Sequence, residues 1–205
     1  MNNTISLFNT LVYKQNLIKT KEFLNLDELN NTCISFANDD IAGQNWCEKN
    51  GYPGYTSYSS LNDLSWRSSI FSDLSKCINK HVFIFTKEIK LDIKKSELKL
   101  ESIWINILPE GGMHSSHLHP GSIISGTFYV KVPKNSSGIK FEDPRLSMMM
   151  NSPTRKKNAP MHLKQFIDIK PENGDLILWE SWLRHEVPFN FSSDERISIS
   201  FNYCR

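Results

Sequence analysis

The feature that most constrains this chain is a change of hydrophobic period near residue 98. Upstream, apolar residues recur at helical spacing. Leu26 to Asn38 places them at 26, 29, 33, 34 and 36 behind Asp27 and Glu28, which predicts a short helix. Leu61 to Phe85 repeats the pattern over several turns and predicts a long helix, with Ser60 and Asp63 as its capped start. Between them, Asn45 to Tyr58 carries Gly51, Pro53 and Gly54 and reads as a loop. Downstream the period falls to two. Leu98 to Leu108, Ile123 to Val132, Ile139 to Phe141, Leu163 to Ile169, Leu176 to Trp179 and Arg196 to Tyr203 are short runs rich in strand formers. Turn-forming residues separate them at 109–112, 133–138, 171–174 and 192–194. The expected fold is mainly β with N-terminal helices, a sandwich or barrel with helices on its outside. The 205 residues suit one domain, with 1–97 as helical support and 98–205 as the β core.

Composition narrows the classes of partner. A hydrophobic content of 39% with 22% charged residues excludes a disordered chain. A formal charge of +2 gives no reason to expect nucleic acid or a membrane surface. No apolar run approaches the roughly 20 residues of a membrane span. The start, Met1-Asn2-Asn3-Thr4, lacks the basic head and apolar stretch of a signal peptide. Cys33, Cys47, Cys77 and Cys204 form no paired motif and read as reduced thiols, consistent with the cytoplasm.

Three of six histidines crowd into Gly111-Gly112-Met113-His114-Ser115-Ser116-His117-Leu118-His119-Pro120. On an extended chain, His117 and His119 project to one side and can reach one divalent ion together. His185, just after a strand, is the candidate third ligand. The plainer alternative is a set of polar loop histidines. His114 reads as loop polarity, and His81 and His162 as ordinary core or surface histidines. Arg196 and Ser198 share the face of the last strand opposite Ile197 and Ile199. An inward arginine there is costly unless it meets an anion, and a carboxylate fits its planar fork best. Otherwise Arg196 lies at the surface against Asp194 or Glu195.

In order and spacing, the His-x-His, the distal His and the Arg-x-Ser resemble the double-stranded β-helix (jelly-roll, cupin-like) of Fe(II)/2-oxoglutarate oxygenases. Leu118-His119-Pro120-Gly121-Ser122, Ser125 to Val130, Phe141 to Arg145 and Gly174 to Val187 are closest to the 2-oxoglutarate/Fe(II) oxygenase family of bacteria and their phages. The likeness runs from Ser102 to Tyr203. It implies a hydroxylase that oxidises a C–H bond of a small-molecule or peptide substrate, releasing succinate and CO2. It implies His117 and His185 as iron ligands, with Arg196 and Ser198 on the C5 carboxylate of 2-oxoglutarate. Tyr129 would join Arg196 on that carboxylate, and Asn106 would reach the cosubstrate's other end. One departure is His119, which stands where the superfamily usually has Asp or Glu; it is either a third histidine ligand or leaves that position to water.

Two competing readings remain. A cupin shares the scaffold, but Ile123 and Ile124 occupy the positions of its expected glutamate. A β-barrel that binds a ligand without chemistry is the other. The long Asp143 to Met161 segment, with Met148, Met149, Met150 and Met161, suggests a cover over the iron mouth.

Overall fold

The computed structural model describes residues 3–205; the Met1-Asn2 start used above lies outside them. Strand β1 (Tyr13–Asn16) precedes helices α1 (Leu26–Asp39), α2 (Ile41–Lys49) and α3 (Ser69–Glu88), with β2 (Tyr55–Thr56) between α2 and α3. Eight strands follow: β3 (Lys99–Leu108), β4 (His114–His117), β5 (Ile124–Lys131), β6 (Ile139–Glu142), β7 (Phe166–Ile169), β8 (Asp175–Glu180), β9 (His185–Val187) and β10 (Arg196–Cys204). They form two antiparallel sheets, ordered β1-β8-β5-β10-β3-β2 and β4-β9-β6-β7. This is the double-stranded β-helix that the sequence led us to expect.

The period of two explains how one sheet serves two purposes. In β3 and β10, Ile103, Ile105, Ile107, Ile197, Ile199 and Phe201 are buried in the core shared with Phe71, Leu74, Ile78 and Val82 of α3. The alternate residues Trp104, Asn106, Arg196, Ser198 and Ser200 line a chamber between the sheets. A smaller core of Tyr129, Ile139, Phe141, Ile177, Trp179 and Leu183 joins the sheets beside it. Packing on the helix side is tight at Gly126 of β5, where a Cβ would lie 2.5 Å from Phe201 Cζ and 2.6 Å from a Leu178 methyl. Gly126→Ala should therefore cost about 1–3 kcal/mol. In a chain of this size that lowers the melting temperature by roughly 2–4 °C per kcal/mol; an unchanged melting curve would contradict this packing.

Several local expectations need correction. Asn45 to Lys49 is helical, because Asp40 caps α2 by accepting the Gly43 N–H at 2.9 Å. The expected helix from Leu61 begins instead at Ser69 and extends to Glu88, beyond Phe85. The preceding stretch is fastened to the sheet by the Ile103 N–H donating to Asn62 O at 2.8 Å and by burial of Leu64. Ser60 and Asp63 cap nothing: Ser60 donates to Asp40, and Asp63 pairs with Arg67. Leu163 ends a 3-10 turn, and the strand expected there starts at Phe166. The first hundred residues supply helices and also the two edge strands β1 and β2. No helix among the described residues is long and apolar enough to cross a membrane.

Candidate metal and cosubstrate site

Strands β4 and β9 are neighbours, and their register sets His117 directly opposite His185. The regular strand ends at His117. His119 is brought back by its own N–H, which donates to Ser181 O at 3.1 Å. Each of the three histidines offers a ring nitrogen within 4.8 Å of the others'. His119 Nε2 and His185 Nε2 are 3.3 Å apart with their rings nearly parallel, at 5°. Adjacent ligands on one ion, at metal–nitrogen lengths of about 2.0–2.1 Å, stand roughly 3.0–3.5 Å apart. His119 thus has the geometry of a ligand, which agrees with the first of the two readings of this position, a third histidine in place of the usual carboxylate.

Tautomers follow from the neighbours. His117 Nδ1 lies 2.7 Å from Ser115 O, and His185 Nδ1 lies 2.9 Å from Leu183 O. A carbonyl only accepts, so both Nδ1 atoms carry the proton and both Nε2 atoms keep a lone pair, that of His185 facing His119 Nε2. Trp179 packs its ring 4.6 Å from that of His185 and holds it in place. Burial, reinforced by the neighbouring imidazoles, pushes His185 down to about 2, His114 to about 3 and His119 to about 4. His117 also falls below its ordinary value, chiefly through burial. A divalent ion needs neutral imidazoles, and this pocket supplies them.

These shifts have a stability consequence. Above pH 6.5 the histidines are neutral in both the folded and unfolded states, so they add no pH dependence. Below it, the unfolded chain takes up protons that the folded chain refuses. Stability of the metal-free protein should fall from about pH 6.5 towards the folded values. The slope is up to about 1.4 kcal/mol per pH unit for each histidine. Urea midpoints measured at pH 7.5 and pH 5 would show the drop; a flat profile would contradict it.

The chamber continues from the histidines to Arg196, with a cavity volume of about 40 Å³. Arg196 is 1% exposed. Its Nε donates to Ser137 O and its Nη1 to Ser198 Oγ, both at 3.1 Å, and its guanidinium carbon lies 5.0 Å from the Tyr129 ring centre. Among the described residues no carboxylate pairs with it, so Asp194 and Glu195 are not its partners. Burial works against its charge, and burial also raises the Tyr129 phenol. Among the described residues the buried Tyr129 Oη and Trp179 Nε1 find no partner with hydrogen-bond geometry, and the Arg196 guanidinium beside Tyr129 favours the phenol's ionised form. A buried cation with an unpaired phenol beside it is costly. A dianion entering this chamber would satisfy both. Asn106 lines the same space, held by Thr56 Oγ1 at 2.9 Å and donating to Ser200 Oγ at 3.0 Å.

All seven residues singled out in the sequence therefore line one chamber. Sequence reasoning undervalued His114, which lines it too, and passed over Tyr52, Trp104 and Trp179. A wider groove of about 840 Å³ opens outward past Trp46, Tyr58 and Leu118. No residue of 143–161 lines either space, so that segment does not cover the mouth in this conformation.

Fold and site define a non-haem oxygenase of the 2-oxoglutarate-dependent class, whose cofactors are Fe(II) and 2-oxoglutarate. Residues 102–202 match the family described as "Putative 2OG-Fe(II) oxygenase", and the chain belongs to that family through this half. No curated protein matches the sequence. Among solved structures, the non-heme α-ketoglutarate-dependent epimerase SnoN from nogalamycin biosynthesis is 13% identical over 95% of this chain and 76% of its own, at TM-score 0.59. The viral collagen prolyl hydroxylase of Paramecium Bursaria Chlorella virus-1, in its 2OG complex, is 15% identical over 94% of each chain, at TM-score 0.55. A 2OG-Fe(II) oxygenase family oxidoreductase from Burkholderia pseudomallei is 15% identical; the chain spans 50% of its length with 58% of its own, at TM-score 0.42.

Proposed function

We propose that the chain works as one oxygenase unit that hydroxylates a C–H bond of a substrate lodged in the outer groove. His117, His119 and His185 would hold Fe(II), and Arg196, Ser198 and Tyr129 would hold the distal carboxylate of 2-oxoglutarate. Asn106 would complete the polar wall beside the cosubstrate. The observation that carries this reading is the chamber itself, with three neutral histidines lining it together with a sealed, carboxylate-free arginine. When bound, iron and 2-oxoglutarate supply the oxidising chemistry, coupled to release of succinate and CO2. The protein's part is to orient the cosubstrate, keep the imidazoles unprotonated and exclude water. A cupin or a passive binding barrel leaves Arg196 without a partner, which favours the oxygenase.

The groove also limits the substrate. Its lining contains the aromatic rings of Trp46, Tyr52, Tyr58 and Trp104, the amides of Asn50, Asn62 and Asn202, and one carboxylate, Glu101, with no lysine or arginine. A neutral or basic small molecule or peptide segment suits such walls, and a nucleic acid does not. The four free cysteines support a reducing, cytoplasmic setting. The test is succinate release by the Fe(II) protein across neutral, basic and acidic small molecules and peptides. The expected result is stimulation by neutral or basic compounds that disappears without Fe(II). Stimulation confined to polyanions would overturn the substrate reading, and release independent of Fe(II) would overturn the oxygenase reading.

A further inference from the structure

His114 differs from His117 and His185 in the partner that its Nδ1 meets, a phenol instead of a backbone carbonyl. It opens β4, with its ring centre 4.3 Å from that of His117, and it lines both the chamber and the groove. Its Nδ1 lies 3.2 Å from Tyr52 Oη. Tyr52 reaches it from the turn after α2, where Gly51 adopts a positive φ of 62°. Tyr52 Oη has no other hydrogen-bond partner among the described residues, and burial keeps the phenol protonated. An Oη–H that donates to Nδ1 leaves the proton of the neutral ring on Nε2. In His117 and His185 the Nδ1–H is spent on a backbone carbonyl and Nε2 carries no proton. His114 Nε2 has no protein partner among the described residues and stands outside the group of converging ligand nitrogens. In that tautomer the ring is an N–H donor beside the three converging histidines rather than a group that binds the ion.

We propose that His114, held by Tyr52, donates its Nε2–H to the metal-end carboxylate of 2-oxoglutarate and so is a cosubstrate-binding residue. Arg196 and Ser198 line the same chamber and answer the other carboxylate, so the two ends of one dianion would be read by different groups. This rests on the oxygenase reading above and adds a residue to it. A hydrogen bond to a charged oxygen in a buried site is worth roughly a tenfold to hundredfold change in affinity.

The experiment uses the Zn(II)-loaded protein, in which no turnover occurs, with calorimetric titration of 2-oxoglutarate. His114→Ala should weaken 2-oxoglutarate binding about tenfold or more while Zn(II) affinity stays at the wild-type value. His114→Gln, whose side-chain amide reaches about as far as Nε2–H, should recover most of the loss. Nitrogen NMR of the imidazoles should show His114 protonated at Nε2 and His117 and His185 at Nδ1. Tyr52→Phe should shift the His114 tautomer and weaken binding in step. Equal affinity in wild type and His114→Ala, or a His114 proton found on Nδ1, would overturn the proposal and leave the oxygenase reading intact. Failure of the wild-type protein to bind 2-oxoglutarate at all would overturn both.

Discussion

His185→Ala should lose metal binding and turnover together. A four-ligand structural zinc site is worth roughly 10–16 kcal/mol, or about 3 kcal/mol for each ligand. Removing one of three protein ligands should thus weaken Fe(II) or Zn(II) binding on the order of a hundredfold, and more if the remaining pair rearranges. The ring also packs against Trp179 and Phe141, with centres 4.6 and 6.0 Å away, so the variant should melt somewhat lower as well. His119→Asp separates the two effects. It places a carboxylate where the wider superfamily has one, and it should retain metal binding where His119→Ala loses much of it. Metal titration followed by calorimetry reads both variants; a His185→Ala protein that binds metal like the wild type would remove the three-histidine site.

Arg196→Ala should leave the metal site in place and strip away the cosubstrate. The guanidinium is sealed from solvent, bonded only to Ser137 O and Ser198 Oγ, and lacks a protein counter-charge among the described residues. Truncating one partner of a buried charge pair costs on the order of 2–5 kcal/mol, which raises the dissociation constant of 2-oxoglutarate by roughly thirtyfold to several thousandfold. Arg196→Lys should recover only part, because an ammonium lacks the planar two-pronged donor. The free protein offers a second check. Arg196→Ala removes an uncompensated buried charge, so without ligand it should be no less stable than a cavity of that size implies. In the wild type, 2-oxoglutarate should raise the melting temperature in a concentration-dependent way that the variant lacks.

Much of this was legible because strand periodicity is strict. Arg196 and Ser198 face the chamber for the same reason that Ile197 and Ile199 face the helices, and the sequence shows that alternation directly. The long runs of β3, β5, β8 and β10 were legible for the same reason. The strands that carry the histidines were not. β4 reads His-Ser-Ser-His and β9 has three residues, so neither shows apolar alternation; β4 forms against β9, and β9 lies between β4 and β6. The opposition of His117 to His185 is a long-range register, invisible in local pattern. α2, with Gly43 and Asn45 in its nine residues, has weak intrinsic preference and depends on the Asp40 cap. His114 was undervalued because its partner Tyr52 lies 62 residues away in a segment that reads only as a turn.

The proposed function requires the three histidines and Arg196 to serve one bound molecule. Its most direct test is a titration of 2-oxoglutarate into the anaerobic Fe(II) protein, followed by the visible charge-transfer band that forms when the cosubstrate chelates iron. A saturable band is expected, with one 2-oxoglutarate per chain, reached only at far higher concentration in Arg196→Ala and absent in His185→Ala. Fe(II) bound with no band at any concentration, or the same saturation curve with and without Arg196, would contradict it.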